Sequence, residues 1–408
     1  MRLAGFLFVA ALTLQAQVRP IVPKSASTQP PRFYTPAIDA GDYVYISAQG
    51  PRSAEGTLPT TFNAQVRQSL DNVKAIVEAA GLTMENIVYT QVYLEDVSQY
   101  DELNKVWSGY FPKTPPARAV LGVAQVPDSA VQVTAVAVRN LSDRRAVSPP
   151  NYHADAPFSP GMITHDRLFV SSMEGRDPAT GKVPDDPAAQ VDFALDGVEA
   201  VTKAAGIDLR NMVFVNPYLT SAIPMRVMNE HYARRFEFGN TPARATIEVS
   251  SLPGGAHIEY TGVAVRDLAQ RKSIRPKNMA PSPTASPCVF AGDTLYCSAK
   301  SGFIPGPHGG MYATTTPHQL RQTMRNQLDN LEEADMNFDQ IVSTTIYLDN
   351  LTDLPAFDEV FGQYFGRPMP ARTVVQQIPP ADRKADKDDH FPDLEQVSLI
   401  AIRGSSKH

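Results

Sequence analysis

The 408-residue sequence has one tryptophan, two cysteines and no stretch in which lysine and arginine run together with aromatics. Its formal charge is −6 and its pI is near 5.8. Nucleic-acid affinity rests mainly on neutralising phosphates, so no nucleic-acid partner is expected. The eight histidines show no H-x-x-x-H or Cys/His grouping, and no metal site is expected. Glycine-rich phosphate loops and a G-x-S-x-G nucleophile elbow are also absent. The one apolar run at the start, Leu3 to Leu14, is too short to span a bilayer, which takes about 20 residues. Following Met1-Arg2 and ending near Ala16, it reads as a signal peptide over 1–16, with an apolar N-terminal arm as the alternative. A signal peptide predicts a periplasmic or secreted protein with no membrane partner.

What is present is the composition of a soluble globular protein: 43% hydrophobic and 20% charged residues, in a length that suits two to four domains. The two cysteines flank V-F-A-G-D-T-L-Y. If Gly292-Asp293 forms a two-residue hairpin turn, Cys288 lies opposite Cys297 at a non-hydrogen-bonded position, close enough for a disulfide. Two reduced core cysteines remain the alternative.

Self-comparison organises the rest of the chain. Ala117-Arg118-Ala119, Ala243-Arg244-Ala245 and Ala371-Arg372-Thr373 recur at intervals of 126 and 128 residues, each behind a proline. Upstream of each come Phe111, Phe236 and Phe365, then the strand-like runs from Ile87, Met212 and Ile341. Further upstream, V-Y-I-S-A, L-F-V-S-S and L-Y-C-S-A place Ser47, Ser171 and Ser298 equivalently. In the first copy Val66, Leu70, Val73, Val77 and Ala80 mark one helix face, and Gly81 suits a left-handed helix end. The order β-β-α-β-α-β-β predicts an α+β sheet with both helices on one face. The expected division is an extended lead over 17–32, repeats over 33–140, 158–267 and 285–403, and Pro-rich linkers over 141–157 and 268–284.

Arg67 to Gly81, Pro116-Ala-Arg118 and Val131 to Val138 together resemble the RidA/YjgF (reactive intermediate deaminase) family, and the later copies keep the same landmarks. The resemblance implies a covalent pseudo-trimer with a central β-barrel, outer helices and ligand clefts between repeats, able to exist as a monomer. It implies cofactor-free hydrolysis of 2-imino or enamine acids, such as 2-aminoacrylate, to 2-keto acids and ammonia. Non-catalytic binding of small carboxylates is the alternative, and endoribonuclease activity a weaker one. Arg118, Arg244 and Arg372 match the family's carboxylate-binding arginine, whose planar fork suits a carboxylate. The family's water-handling glutamate aligns with Gln132, Glu259 and Gln396. A glutamine cannot take a proton at neutral pH. Arg244 and Glu259, in one repeat, are therefore the expected catalytic pair, and the Arg118 and Arg372 clefts are expected to bind without turnover. Tyr34, the serines Ser47, Ser171 and Ser298, and Asn104 and Asn229 match other substrate-contacting positions. The third copy has Asp358 where the asparagine stands. Glu395, next to Gln396, is expected to face away, and Trp107, Tyr232 and Phe361 read as core.

Overall fold

The structure is a computed structural model describing residues 18–24, 31–127, 130–150, 152, 157–306, 309–379 and 392–404. The expected signal peptide lies outside the described residues. Among those described, no helix is long and apolar enough to cross a membrane.

Each repeat follows the expected order. In the first, a hairpin of Ala37–Asp39 and Tyr43–Gln49 turns at Gly41, φ +90°, where a side chain would be strained. Helix Phe62–Ala79 follows, capped by the Thr61 side chain accepting from the Ala64 N–H. Its expected inner face is dry, with Val66, Leu70, Val73 and Val77 at 0% exposure. Gly81 takes φ +74° just past its end. Strand Ile87–Leu94 and helix Tyr100–Tyr110 lead to strand Ala117–Gly122, which pairs parallel with Ile87–Leu94 across that helix. Strand Val131–Val138 then fills the middle of the sheet, between Tyr43–Gln49 and Ile87–Leu94. The later repeats share this path. In the second, the fourth strand is broken into Ala243–Arg244 and Ile247–Glu248.

The lead and linkers are more than spacers. Arg19–Ile21, Arg145–Val147 and Arg271–Ile274 each add an antiparallel edge strand to the repeat that follows. The third repeat's hairpin has the register read from the sequence, Ala291 opposite Thr294 through Cys288 opposite Cys297. The two cysteines are joined by a disulfide, their Cα atoms 4.0 Å apart.

The sheet faces turned from the helices meet one another. One shared apolar cluster takes equivalent residues from all three repeats, including Tyr45, Phe169 and Tyr296, the alanines Ala117, Ala243 and Ala371, and the valines Val88, Val213 and Val342. The seams are cyclic: the Ser159 N–H donates to Pro116 O, Ser286 to Pro242 O and Thr35 to Pro370 O, at 3.1, 3.1 and 3.2 Å. In place of one continuous barrel there are three separately bonded sheets facing this common core. Isolated bridges Gly122–Ser251, Gln125–Gln376 and Glu248–Ile378 link them in the same cyclic way.

Near the opposite end the symmetry breaks. Arg167 is 3% exposed and stands where the other repeats have Tyr43 and Thr294. Its guanidinium donates to the Tyr45 and Tyr296 hydroxyls at 3.4 and 3.0 Å and to Thr294, lies over the Tyr43 ring and pairs with Asp166. One side chain thus ties all three repeats together.

Candidate functional site

Strand alternation decides where each arginine points. Ala117 and Ala243 enter the shared core, so Arg118 and Arg244 emerge on the helix side of their sheets. There Arg118 Nη2 donates to Asn104 Oδ1 at 2.7 Å and to the Tyr100 hydroxyl at 3.2 Å. Arg244 Nη1 donates to Asn229 Oδ1 at 2.8 Å, and Arg372 forms a 2.5 Å ion pair with Asp358. Each guanidinium also lies over a ring of its own second helix, at 4.9 Å from Trp107, 5.2 Å from Tyr232 and 5.7 Å from Phe361. These rings are core, as expected, and they are also the walls that aim the arginines. The second role has no signature in periodicity.

The next repeat in the cycle supplies the other side of each cleft. Ser171, Ser298 and Ser47 accept the backbone N–H of Arg118, Arg244 and Arg372, each at 2.8 Å. Each serine also donates its proton, at 2.6 Å, to the Ser159, Ser286 or Thr35 carbonyl of its own repeat. With that proton committed, these hydroxyls fasten the seams and cannot donate to a substrate carboxylate. This corrects the expectation that they bind substrate. Phe158 and Tyr34 sit by the same logic across from Arg118 and Arg372, each ring 5.7 Å from the guanidinium.

The expected pair Arg244 and Glu259 is separated. Ile258 and Tyr260 pack on the helix side of the second sheet, so Glu259 faces away from it, as does Thr261, whose hydroxyl meets Tyr89 of the first repeat at 3.1 Å. Arg244 leaves the same sheet on the other face. Glu259 instead lies beside Glu174 in the sheet, and Glu174 ends the strand whose Ser171 holds Arg118. The Ser172 hydroxyl contacts the Arg118 carbonyl at 3.5 Å, and the charge of Glu174 reaches across the seam to oppose ionisation of Tyr100. The acid therefore belongs to the seam of Arg118. By the same rotation Gln396 shares a cavity with Arg244.

The three clefts differ in chemistry. At the first, Glu259 is fully buried and Arg118 2% exposed. Burial, then the neighbouring charge of Glu174, pushes the Glu259 carboxyl well above the usual carboxylate range, with the Ser172 hydroxyl pulling back weakly. Burial likewise raises Glu174, against the pull of Arg176. Arg118 Nη1 and both Glu259 oxygens make no well-formed hydrogen bond within the protein. Buried polar atoms in that condition call for a partner. At the third cleft Asp358 already neutralises Arg372. Gln132 Nε2 donates to Pro127 O at 3.2 Å. Tyr100 and Glu174 were not singled out by sequence reasoning, and Ser172 only as the residue in place of a glycine beside the serine. Glu174 carries no repeat signal, since Gly50 and Ser301 stand at its equivalents.

Glu395 faces away from Gln396, as expected: its carboxyl accepts from Thr323 on helix Thr316–Glu333. Burial pushes it up to about 8, with Asp393 and Asp349 adding to the shift. A raised carboxyl stabilises the fold fully below its unfolded value near 4.5, and that contribution is lost as pH rises to about 8. The loss is on the order of 4 kcal/mol at about 1.4 kcal/mol per unit. Glu395→Gln is expected to flatten the fall of Tm between pH 5 and 8.5; a parallel fall in wild type and variant would remove Glu395 as its cause. Among the described residues no cluster of His, Cys, Asp and Glu could hold a metal ion.

Comparisons with known proteins follow the repeats. The profile of the family described as Endoribonuclease L-PSP matches residues 25–139, 150–266 and 277–380. The 2-iminobutanoate/2-iminopropanoate deaminase of Escherichia coli (strain K12) is 40% identical over 111 residues, covering 26% of this chain and 87% of that protein. A RutC family protein of Haemophilus influenzae is 40% identical over 112 residues, covering 26% and 86%. Among solved structures, the E. coli YjgF gene product is 37% identical and covers 30% of this chain and 99% of its own, with a TM-score of 0.28. With three matches to one profile and close single-repeat relatives, the chain belongs to the Endoribonuclease L-PSP family, that of the RidA/YjgF proteins.

Proposed function

We propose that the protein hydrolyses small 2-imino acids to 2-keto acids and ammonia, and does so at the seam of Arg118 and Glu259. The observation that carries this reading is the set of buried polar atoms there without partners, Arg118 Nη1 and both Glu259 oxygens. A small imino acid would satisfy them, its carboxylate on the guanidinium and its imine end toward the carboxyl group. Burial and Glu174 make the Glu259 carboxyl hold its proton more tightly than an ordinary carboxyl does, and the protonated acid can give it to the imine nitrogen as water adds to the imine carbon. It takes one proton back from the added water, giving a neutral carbinolamine. It then gives that proton to the amino nitrogen and takes the remaining hydroxyl proton as the carbonyl forms, the carbon–nitrogen bond breaks and ammonia leaves. The carboxyl ends as it began, and the sum is imino acid plus water giving keto acid plus ammonia. The deaminase name of the E. coli relative supports the reaction class. A polynucleotide is disfavoured by the net charge of −6, since such affinity is mostly electrostatic.

The test is keto-acid release from a freshly generated 2-imino acid such as 2-aminoacrylate. Arg118→Ala is expected to lower kcat/KM by about a hundredfold or more, on the scale of a lost charge-assisted anchor. Arg244→Ala, in the neighbouring cleft, is expected to leave it within about twofold. The reverse ranking would move the reaction to the second cleft.

A further inference from the structure

The second cleft has chemistry that the other two lack. Arg244 and Lys300 both line a cavity of about 380 Å³ between the second and third repeats, and no carboxylate lines it. That volume falls in the range of small-molecule sites, about 300–1,000 Å³. Gln396 closes it where the first cleft has Glu259, and residues of the linker, Met279 and Ser282 among them, form one wall. Thr246 also lines it, and its buried hydroxyl makes no hydrogen bond within the protein. Lys300 is half-buried, its charge disfavoured by that burial, and among the described residues it has no ion pair. Gln49 and Met173 stand at its equivalents, so this second cation is particular to one cleft. Arg244 is held by the neutral Asn229, unlike Arg372 with its aspartate.

Two cations facing one cavity without a carboxylate between them favour an anion there, and two cations suit two negative charges. Ser298, which holds the Arg244 backbone, lies two residues before Lys300 on strand Thr294–Lys300, so both cations border one short stretch of that strand. We propose that the Arg244–Lys300 cleft binds a small dicarboxylate without turning it over, Arg244 taking one carboxylate and Lys300 the other. This goes beyond the deaminase reading, because it concerns a different cleft, a different ligand class and binding alone.

Titration calorimetry on the full chain tests it, with 2-oxoglutarate and 2-oxobutyrate as probes. The diacid is expected to bind at least about tenfold tighter than the monoacid. Lys300→Met is expected to erase that preference, Lys300→Arg to keep it, and Arg244→Ala to abolish binding of both at this site. Arg118→Ala should bind the diacid as wild type does, whether or not the deaminase reading survives. Equal affinities for the two acids, no diacid binding, an unchanged preference in Lys300→Met, or loss of diacid binding in Arg118→Ala would each overturn the proposal.

Discussion

Glu259→Gln is expected to lower kcat for 2-imino acid hydrolysis by about 10²–10⁴-fold, the usual contribution of a positioned acid or base, with KM little changed. The substitution keeps the shape and volume of a fully buried side chain, so it isolates the proton. The wild-type pH profile carries a second signature. The carboxyl sits well above its ordinary value because it is buried beside Glu174. Burial thus favours the proton-bearing form, and activity should fall as pH rises through the shifted pKa. In Glu259→Gln any residual activity should lack that alkaline limb. Stopped assays of keto acid and ammonia across pH 6–10 check both points. Turnover by Glu259→Gln within about twofold of wild type would leave Glu259 without a catalytic role.

The second large effect concerns stability. Arg167→Met is expected to lower Tm by at least about 5 °C, given roughly 2–4 °C per kcal/mol for a domain of 150–250 residues. The guanidinium serves hydroxyls of Tyr45, Tyr296 and Thr294, which come from two other repeats and are all buried. A buried polar group left without its partner costs about 1–3 kcal/mol. Asp166 is about one-third exposed and can turn to water, so its lost ion pair adds little. Methionine keeps an apolar side chain but not the guanidinium that lies over Tyr43, so the loss reports on the polar head. Differential scanning fluorimetry measures it, and an unchanged Tm would show that the tie is dispensable. A homotrimer of single repeats could not carry this device. An arginine at that position would appear three times about one axis, with three like charges in one buried space.

Much of the fold was legible because local rules and the repeat agreed. The register of the Cys288–Cys297 hairpin follows from a two-residue turn and nothing else. The buried stripe of Val66, Leu70, Val73 and Val77 follows from helical period, and the three equivalent arginines from self-comparison. Pairing of functional residues followed neither rule. Arg244 and Glu259 are fifteen positions apart in one repeat, yet they leave their sheet on opposite faces, so proximity along the chain misled. The acid lies toward the seam of the preceding repeat's arginine because a fourth strand packs on the next repeat's second strand, a property of the assembled ring. The serines misled for a related reason. Their recurrence marked importance correctly, but only the hydrogen bonds to Arg118, Arg244 and Arg372 identify it as fastening.

Two of the three seams join repeats that a peptide linker already connects; the third brings the last repeat back to the first with no covalent tie. At that third junction the arginine has its own carboxylate, Asp358, and Thr35 adds hydrogen bonds to Pro370 and Met369. The clasp that shuts the molecule thus carries its counter-ion permanently, and its strength is independent of any dissolved acid.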